Sequence, residues 1–88
     1  MWSVRRWIER RKAVRRAWQA DARDLIEHDE ANAYYDAQRL AARARSRKDR
    51  RVAIHWSKVA AEVARLSSRA RMDWETVKRI AREEGVQQ

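Results

Sequence analysis

Val52-Ala-Ile-His-Trp-Ser-Lys-Val-Ala-Ala-Glu-Val-Ala-Arg-Leu66 decides the fold. In and just beyond it, Val52, Trp56, Val59, Val63, Leu66 and Ala70 recur at alternating steps of four and three. That spacing sets six apolar side chains in one stripe of a helix. Ala53, Ala60 and Ala64 flank the stripe and let neighbouring helices come close. The spacing predicts a central helix over about 50–70, with the other segments packed around it.

The 88-residue chain has one glycine, Gly85, and no proline. Sheets and long loops draw on both for turns, so an all-α chain is the economical expectation. The size suits a single helical domain over 1–88 with a modest core. No cysteine is present, which excludes disulfides, thiolate nucleophiles and cysteine metal sites. No uninterrupted apolar run resembles a signal peptide or a membrane span, so a cytoplasmic location is expected.

The net charge of +9 is unevenly laid out. Residues 1–20 carry net +6, residues 21–36 net −5, residues 37–58 net +7 and the remainder +1. Two basic blocks divided by an acidic one favour an anionic partner, DNA or RNA foremost and an acidic protein surface as the alternative. The competing reading is that the blocks neutralise one another within the fold.

Residues 3–28 read as a long helix capped by Ser3, with Val4, Trp7, Val14, Trp18 and Leu25 near one line. Its first half is open to three readings. It is a basic arm with phosphate contacts from Arg5, Arg6, Arg10, Lys12, Arg15 and Arg16; or an interfacial membrane helix; or a core helix with its tryptophans inward. The acidic continuation from Asp21 to Glu30 disfavours the membrane. Self-association of two chains through the Val4–Leu25 stripe is a further option. A turn is expected at His28–Asn32. A second helix follows over about 33–45, with Ala33, Ala37, Leu40, Ala41 and Ala44 buried and Tyr34 and Tyr35 covering the core edge.

Arg43, Arg45, Arg47, Lys48, Arg50 and Arg51 form the densest positive charge in the chain. The segment is either a turn, with Ser46 or Asp49 capping the next helix, or an uninterrupted helix. The gap in apolar periodicity favours the turn. Asp73 caps a last helix over about 74–84, with Met72 and Val77 at staple positions and Gly85 as its stop. The expected architecture is thus a small bundle of three to four helices.

Nothing in the sequence declares a catalytic set or a cofactor. His28 with Asp24 and Asp21 stands at helical spacing but reads better as a solvated helix end, and His55 reads as a partly buried, hydrogen-bonded residue. Exposed tryptophan is the alternative functional signal. Trp2, Trp7 and Trp74 are candidate anchors of an interaction module such as a phage-type inhibitor, an adaptor or a subunit of a larger assembly.

Residues 63–80, with Leu66, Ser67, Ala70, Met72, Asp73, Thr76, Val77, Arg79 and Ile80 in matching places, resemble the helix-turn-helix of bacterial repressor-type DNA-binding domains. The resemblance implies that Trp74, Glu75, Lys78, Arg79 and Arg82 face the major groove. It departs at Arg71, where that pattern has a glycine; a positive φ there would cost about 1 kcal/mol or more. A shorter run, Arg-Lys-Asp-Arg-Arg followed by His55-Trp56-x-x-Val59-Ala60, looks like small bacterial proteins of unknown function and implies no activity.

Overall fold

A computed structural model describes residues 3–86. The chain is all-α. Helix α1 spans Val4–Asp29, a one-turn 3-10 helix spans Glu30–Asn32, and α2 spans Ala33–Ser46, α3 Arg50–Leu66 and α4 Trp74–Glu83. Each α-helix but α2 starts with a side-chain cap. Ser3 accepts from the Arg6 N–H, Asp49 from Val52 and Asp73 from Thr76. Each such cap occupies one of the four backbone donors a helix start leaves open. At Asp29 the backbone swings to φ −162°, ψ 90°, which breaks α1 from the segment that follows.

The arginine-rich segment is a turn, as the lost periodicity implies. It closes by two bonds, Asp49 N–H to Ala44 C=O at 2.8 Å and Lys48 N–H to Arg45 C=O at 3.0 Å. This is a Schellman closure, and it holds Lys48 at φ 60°. The same closure ends α4, with Val86 N–H to Ala81 C=O at 2.9 Å and Gly85 at φ 80°.

The most extensive helix pair is α2 on α3, and α1 crosses α3. Ala22, Ala33, Ala37, Val59, Ala60, Val63 and Ala70 form the core, with Trp18, Leu25, Ile26, Tyr34 and Trp56 packed against it. Val59 and Val63 are the largest fully buried side chains, each contributing about 1.5–3 kcal/mol by burial. Apart from Ile80 of α4, the remaining buried apolar residues are alanines, so helix backbones must approach closely for apolar surface to leave water.

That close approach corrects the expected stripe. Val52 (41 % exposed) and Leu66 (37 %) stand at the rim, while Ala53 and Ala60 are buried; Ala64 is exposed. The face of α3 turned inward is centred on alanines and the two valines rather than on the largest side chains. The helix also ends at Leu66, not near residue 70. Ser67 takes extended backbone (φ −126°, ψ 125°), and its Oγ accepts from the N–H groups of Arg69 and Ala70 at 3.1 Å each. A serine that can satisfy those donors itself competes with helix continuation.

Ser67 through Asp73 is a seven-residue strap tied to the start of α2. The Ser67 hydroxyl donates to Glu30 Oε2 at 2.6 Å, Arg71 N–H donates to the Ala31 carbonyl at 2.9 Å, and Asp73 N–H donates to the Tyr35 hydroxyl at 2.8 Å. The Tyr35 hydroxyl is therefore a structural acceptor rather than a group left to water. From there α4 runs along α2 in the same sense, since Arg39 meets Glu83 and Glu84, and Arg43 meets Glu84. Met72 is exposed, which leaves little of the expected staple.

Residues 4–17 of α1 are exposed at every position. Val4, Trp7 and Val14 therefore do not join the core, contrary to the packed reading of this stripe; only from Trp18 onward does α1 bury side chains. At ~1.5 Å per residue the exposed half is roughly 20 Å long, and it lengthens a molecule of 47 × 30 × 18 Å. No helix among the described residues is long and apolar enough to cross a membrane.

Candidate nucleic-acid interface

The exposed half of α1 presents Arg5, Arg6, Arg10, Arg11, Lys12, Arg15 and Arg16. None of them is in an ion pair with a carboxylate among the described residues. Trp7 is 44 % exposed, and the Arg11 guanidinium carbon lies over its ring, 4.7 Å from the centroid. About three turns further along the same side of α1, Lys58 of α3 places its ammonium 5.7 Å from the centroid of the Trp18 ring. Together Trp7, Arg10, Arg11, Val14, Arg15, Trp18 and Lys58 line an open groove of about 480 Å³. Two indoles and four cations line it, and no carboxylate does.

The second basic element is the α2–α3 turn. Arg45, Arg47, Lys48, Arg50 and Arg51 are exposed, and among the described residues their one polar side-chain contact is a long one, from Arg45 Nη1 to the Ser57 hydroxyl at 3.5 Å. Arg45, Lys48 and Arg50 border a groove of about 410 Å³ floored by Ala53, Ile54 and Ser57. The amino end of α3 adds the positive end of its dipole to this cluster.

Several acidic residues are engaged elsewhere. Asp21 Oδ2 lies 2.6 Å from His55 Nε2, so Asp21 joins α1 to α3 instead of forming a cluster with His28 and Asp24. No group of three or more potential metal-ligating residues occurs among the described residues. Glu30 holds Ser67. Glu84 accepts from Arg39 at 2.7 Å and from Arg43 at 2.9 Å, and Arg39 also reaches Glu83 at 2.8 Å. These bonds hold the Glu84 carboxyl below the usual glutamate range and raise the Arg39 guanidinium above its own. The Asp36 carboxyl is pushed up, mainly by burial and next by the neighbouring Asp29 charge.

Arg43 therefore enters any phosphate contact already bonded to Glu84, unlike its neighbours in the turn. On α4, Lys78 pairs with Glu75 at 2.9 Å and is partly covered, Arg79 stands 3.8 Å from Glu83, and Arg82 is exposed. Trp74 is 67 % exposed beside a groove of about 300 Å³ lined by Gln38, Arg45, Val77, Lys78, Ala81 and Val86. Trp2 lies outside the described residues.

The helix-turn-helix resemblance falls on α3, the strap and α4. Such units join two mutually packed helices by a turn of about 3–4 residues. Here the strap is longer and α4 packs on α2, with no Cα–Cα approach within 8 Å between α3 and α4. Arg71 also escapes the expected strain: among non-glycine described residues only Lys48 has positive φ.

Arg11 and Lys58 are the groove residues that the sequence did not single out. Arg11 falls on the same side of α1 as Trp7, Val14 and Trp18, with its guanidinium over the Trp7 ring. Lys58 comes from a different helix, and only the α1–α3 crossing brings it to Trp18. No known protein family, no curated protein and no solved structure matches this chain.

Proposed function

We propose that the chain is a small, non-catalytic polyanion-binding protein whose partner is nucleic acid, held by the basic half of α1 and the α2–α3 turn. The observation that carries this reading is the failure of internal neutralisation. Seven cations on α1 and five around the turn lack a carboxylate partner among the described residues, while Asp21, Glu30 and Glu84 bond to His55, Ser67, Arg39 and Arg43. Free cations on an exposed helix can replace counterions along a phosphate backbone, and affinity then follows salt. With six to ten phosphate contacts, binding weakens about 10³–10⁵-fold between roughly 50 and 200 mM salt. Labelled DNA and RNA oligonucleotides titrated across that range provide the test. Equal retention at low and high salt would sink the reading.

A second reading, an interaction module for an acidic protein surface, is supported by the exposure of Trp74 beside its own groove. Material that co-purifies with the protein separates the two. A raised 260/280 nm absorbance ratio favours nucleic acid; a stoichiometric polypeptide seen by mass favours the module, and in that case Trp74→Ala abolishes its retention.

A further inference from the structure

Trp7 and Trp18 are 11 residues apart on α1, about three turns and ~16 Å along one face. The groove between them joins flat aromatic surface to positive charge. The geometry points to single-stranded nucleic acid as its occupant, with an unpaired base stacked on Trp7 and the flanking phosphates on Arg10, Arg15 and Lys58. This inference rests on the nucleic-acid reading above and goes beyond it by naming the strand form and the contact that selects it.

Three observations favour that occupant. Arg11 lies over part of the Trp7 ring, yet the residue remains 44 % exposed, so surface is left for a ligand. A base within a duplex has its faces covered by its neighbours, whereas an unpaired base presents a π-face to an indole. Base–aromatic stacking in a cationic groove is the usual physics of single-strand binding. Second, the groove is lined by Arg10, Arg11, Arg15 and Lys58 and by no acid, which suits a phosphate on either side of a stacked base. Third, the competing occupants fit less well. Two copies of this arm would bring together segments of net +6 each. A lipid surface would have to accept Arg11 and Arg15 within the same face as Trp7, Val14 and Trp18, where an interfacial helix keeps its apolar side free of charge.

The test is fluorescence anisotropy with labelled oligouridine, oligothymidine and a DNA duplex of equal length, at constant salt. Single strands are expected to bind more tightly than the duplex. Trp7→Ala is expected to weaken single-strand binding roughly tenfold or more, Trp7→Phe to retain most of it, and Trp7→Leu to behave like alanine, because leucine is apolar but has no π-face. The double variant Arg10→Gln/Arg15→Gln, titrated with salt, should lower the single-strand salt slope by about 0.7 for each phosphate it ceases to neutralise. Trp7 lies outside the core, so an unchanged thermal melt should accompany each change at position 7.

Equal affinity for duplex and single strand, with Trp7→Ala neutral, overturns the stacking groove and leaves the polyanion reading standing. Absence of salt-dependent binding to any of the three probes overturns both. A Trp7→Ala variant that sediments differently from the parent but binds oligonucleotides equally well also overturns the inference, by making the groove a self-association face.

Discussion

Lys48 offers the sharpest perturbation. It is the residue after the α2 C-cap, held at φ 60° by the bonds from Lys48 N–H to Arg45 C=O and from Asp49 N–H to Ala44 C=O. The equivalent position after α4 is Gly85 at φ 80°. A side chain with a β-carbon loses about 1–2 kcal/mol in this region. Glycine avoids that strain but gives up about 0.4–1 kcal/mol through the greater freedom of its unfolded chain. Lys48→Gly should therefore stabilise the fold by about 0.5–1 kcal/mol, a rise in Tm of roughly 2–8 °C for a domain of this size.

Charge removal is the confounding effect, since Lys48 stands among Arg45, Arg47, Arg50 and Arg51. Lys48→Ala separates the two contributions, because alanine loses the charge and keeps the strain. The assay is thermal and urea unfolding of parent, Lys48→Gly and Lys48→Ala at low and high salt. Glycine should exceed alanine at both. If the two variants are equally stable, or glycine lowers Tm, the conformational reasoning is wrong. Gly85→Ala is the mirror experiment, with an expected loss of about 1 kcal/mol. A β-carbon there would meet nothing within 4 Å, so backbone strain alone is measured. Lys48→Gly should also lower the salt slope of duplex binding by about 0.9 if this lysine contacts phosphate. A substitution that raises stability and lowers affinity would locate a reason for lysine at a position suited to glycine.

Three further outcomes follow from the packing. Ser67→Ala should destabilise by about 1–3 kcal/mol in urea unfolding, because it removes the acceptor for the buried Ala70 N–H and the donor to Glu30. Glu84→Gln should lower Tm most at neutral pH. The depressed Glu84 carboxyl contributes stability that is full above the ordinary glutamate value and is lost as pH falls through its depressed folded value, so the deficit should vanish below that point. Asp36→Asn should raise Tm at neutral pH, because burial and Asp29 disfavour the Asp36 charge in the fold; the gain should disappear below the ordinary aspartate range, where the parent carboxyl is neutral in both states.

What the sequence made legible was local chemistry. Ser3, Asp49, Asp73 and Gly85 mark helix ends because a cap acts through backbone groups within a few residues, and the structure uses all four. The lost periodicity between Arg43 and Arg51 likewise marked a turn. Apolar periodicity was less informative about depth. It ranks Val52 and Leu66 with Val59 and Val63, but the buried face of α3 runs through Ala53, Val59, Ala60 and Val63, and larger side chains off that line fall at the rim. The strap was illegible for a related reason. Ser67 ends α3 through bonds to Arg69, Ala70 and Glu30, and the last of these lies 37 positions away in sequence. The groove depends on Lys58 reaching α1, which no spacing within one segment encodes.

The same alanine core bears on the tryptophans. An interior of alanines, two valines and Ile80 is thin, and the molecule is only 18 Å across its shortest axis. Such a core has no volume for five indoles. Trp18 and Trp56 lie at its edge, half-buried, while Trp7 and Trp74 are exposed, by 44 % and 67 %. Leaving bulky apolar surface exposed gives up burial free energy of about 25 cal/mol per Å², and neither exposed indole lies in the core. The acidic half of α1 packs into the bundle and the basic half, with Trp7, projects from it. Indole and arginine are thereby presented together on the part of the chain whose removal should disturb the core least. A chain beginning at Trp18 should accordingly keep the helix content of α2–α4 and lose salt-dependent oligonucleotide binding. If the shortened chain unfolds, the basic half of α1 belongs to the fold, and the division of α1 into a packed half and a binding half is wrong.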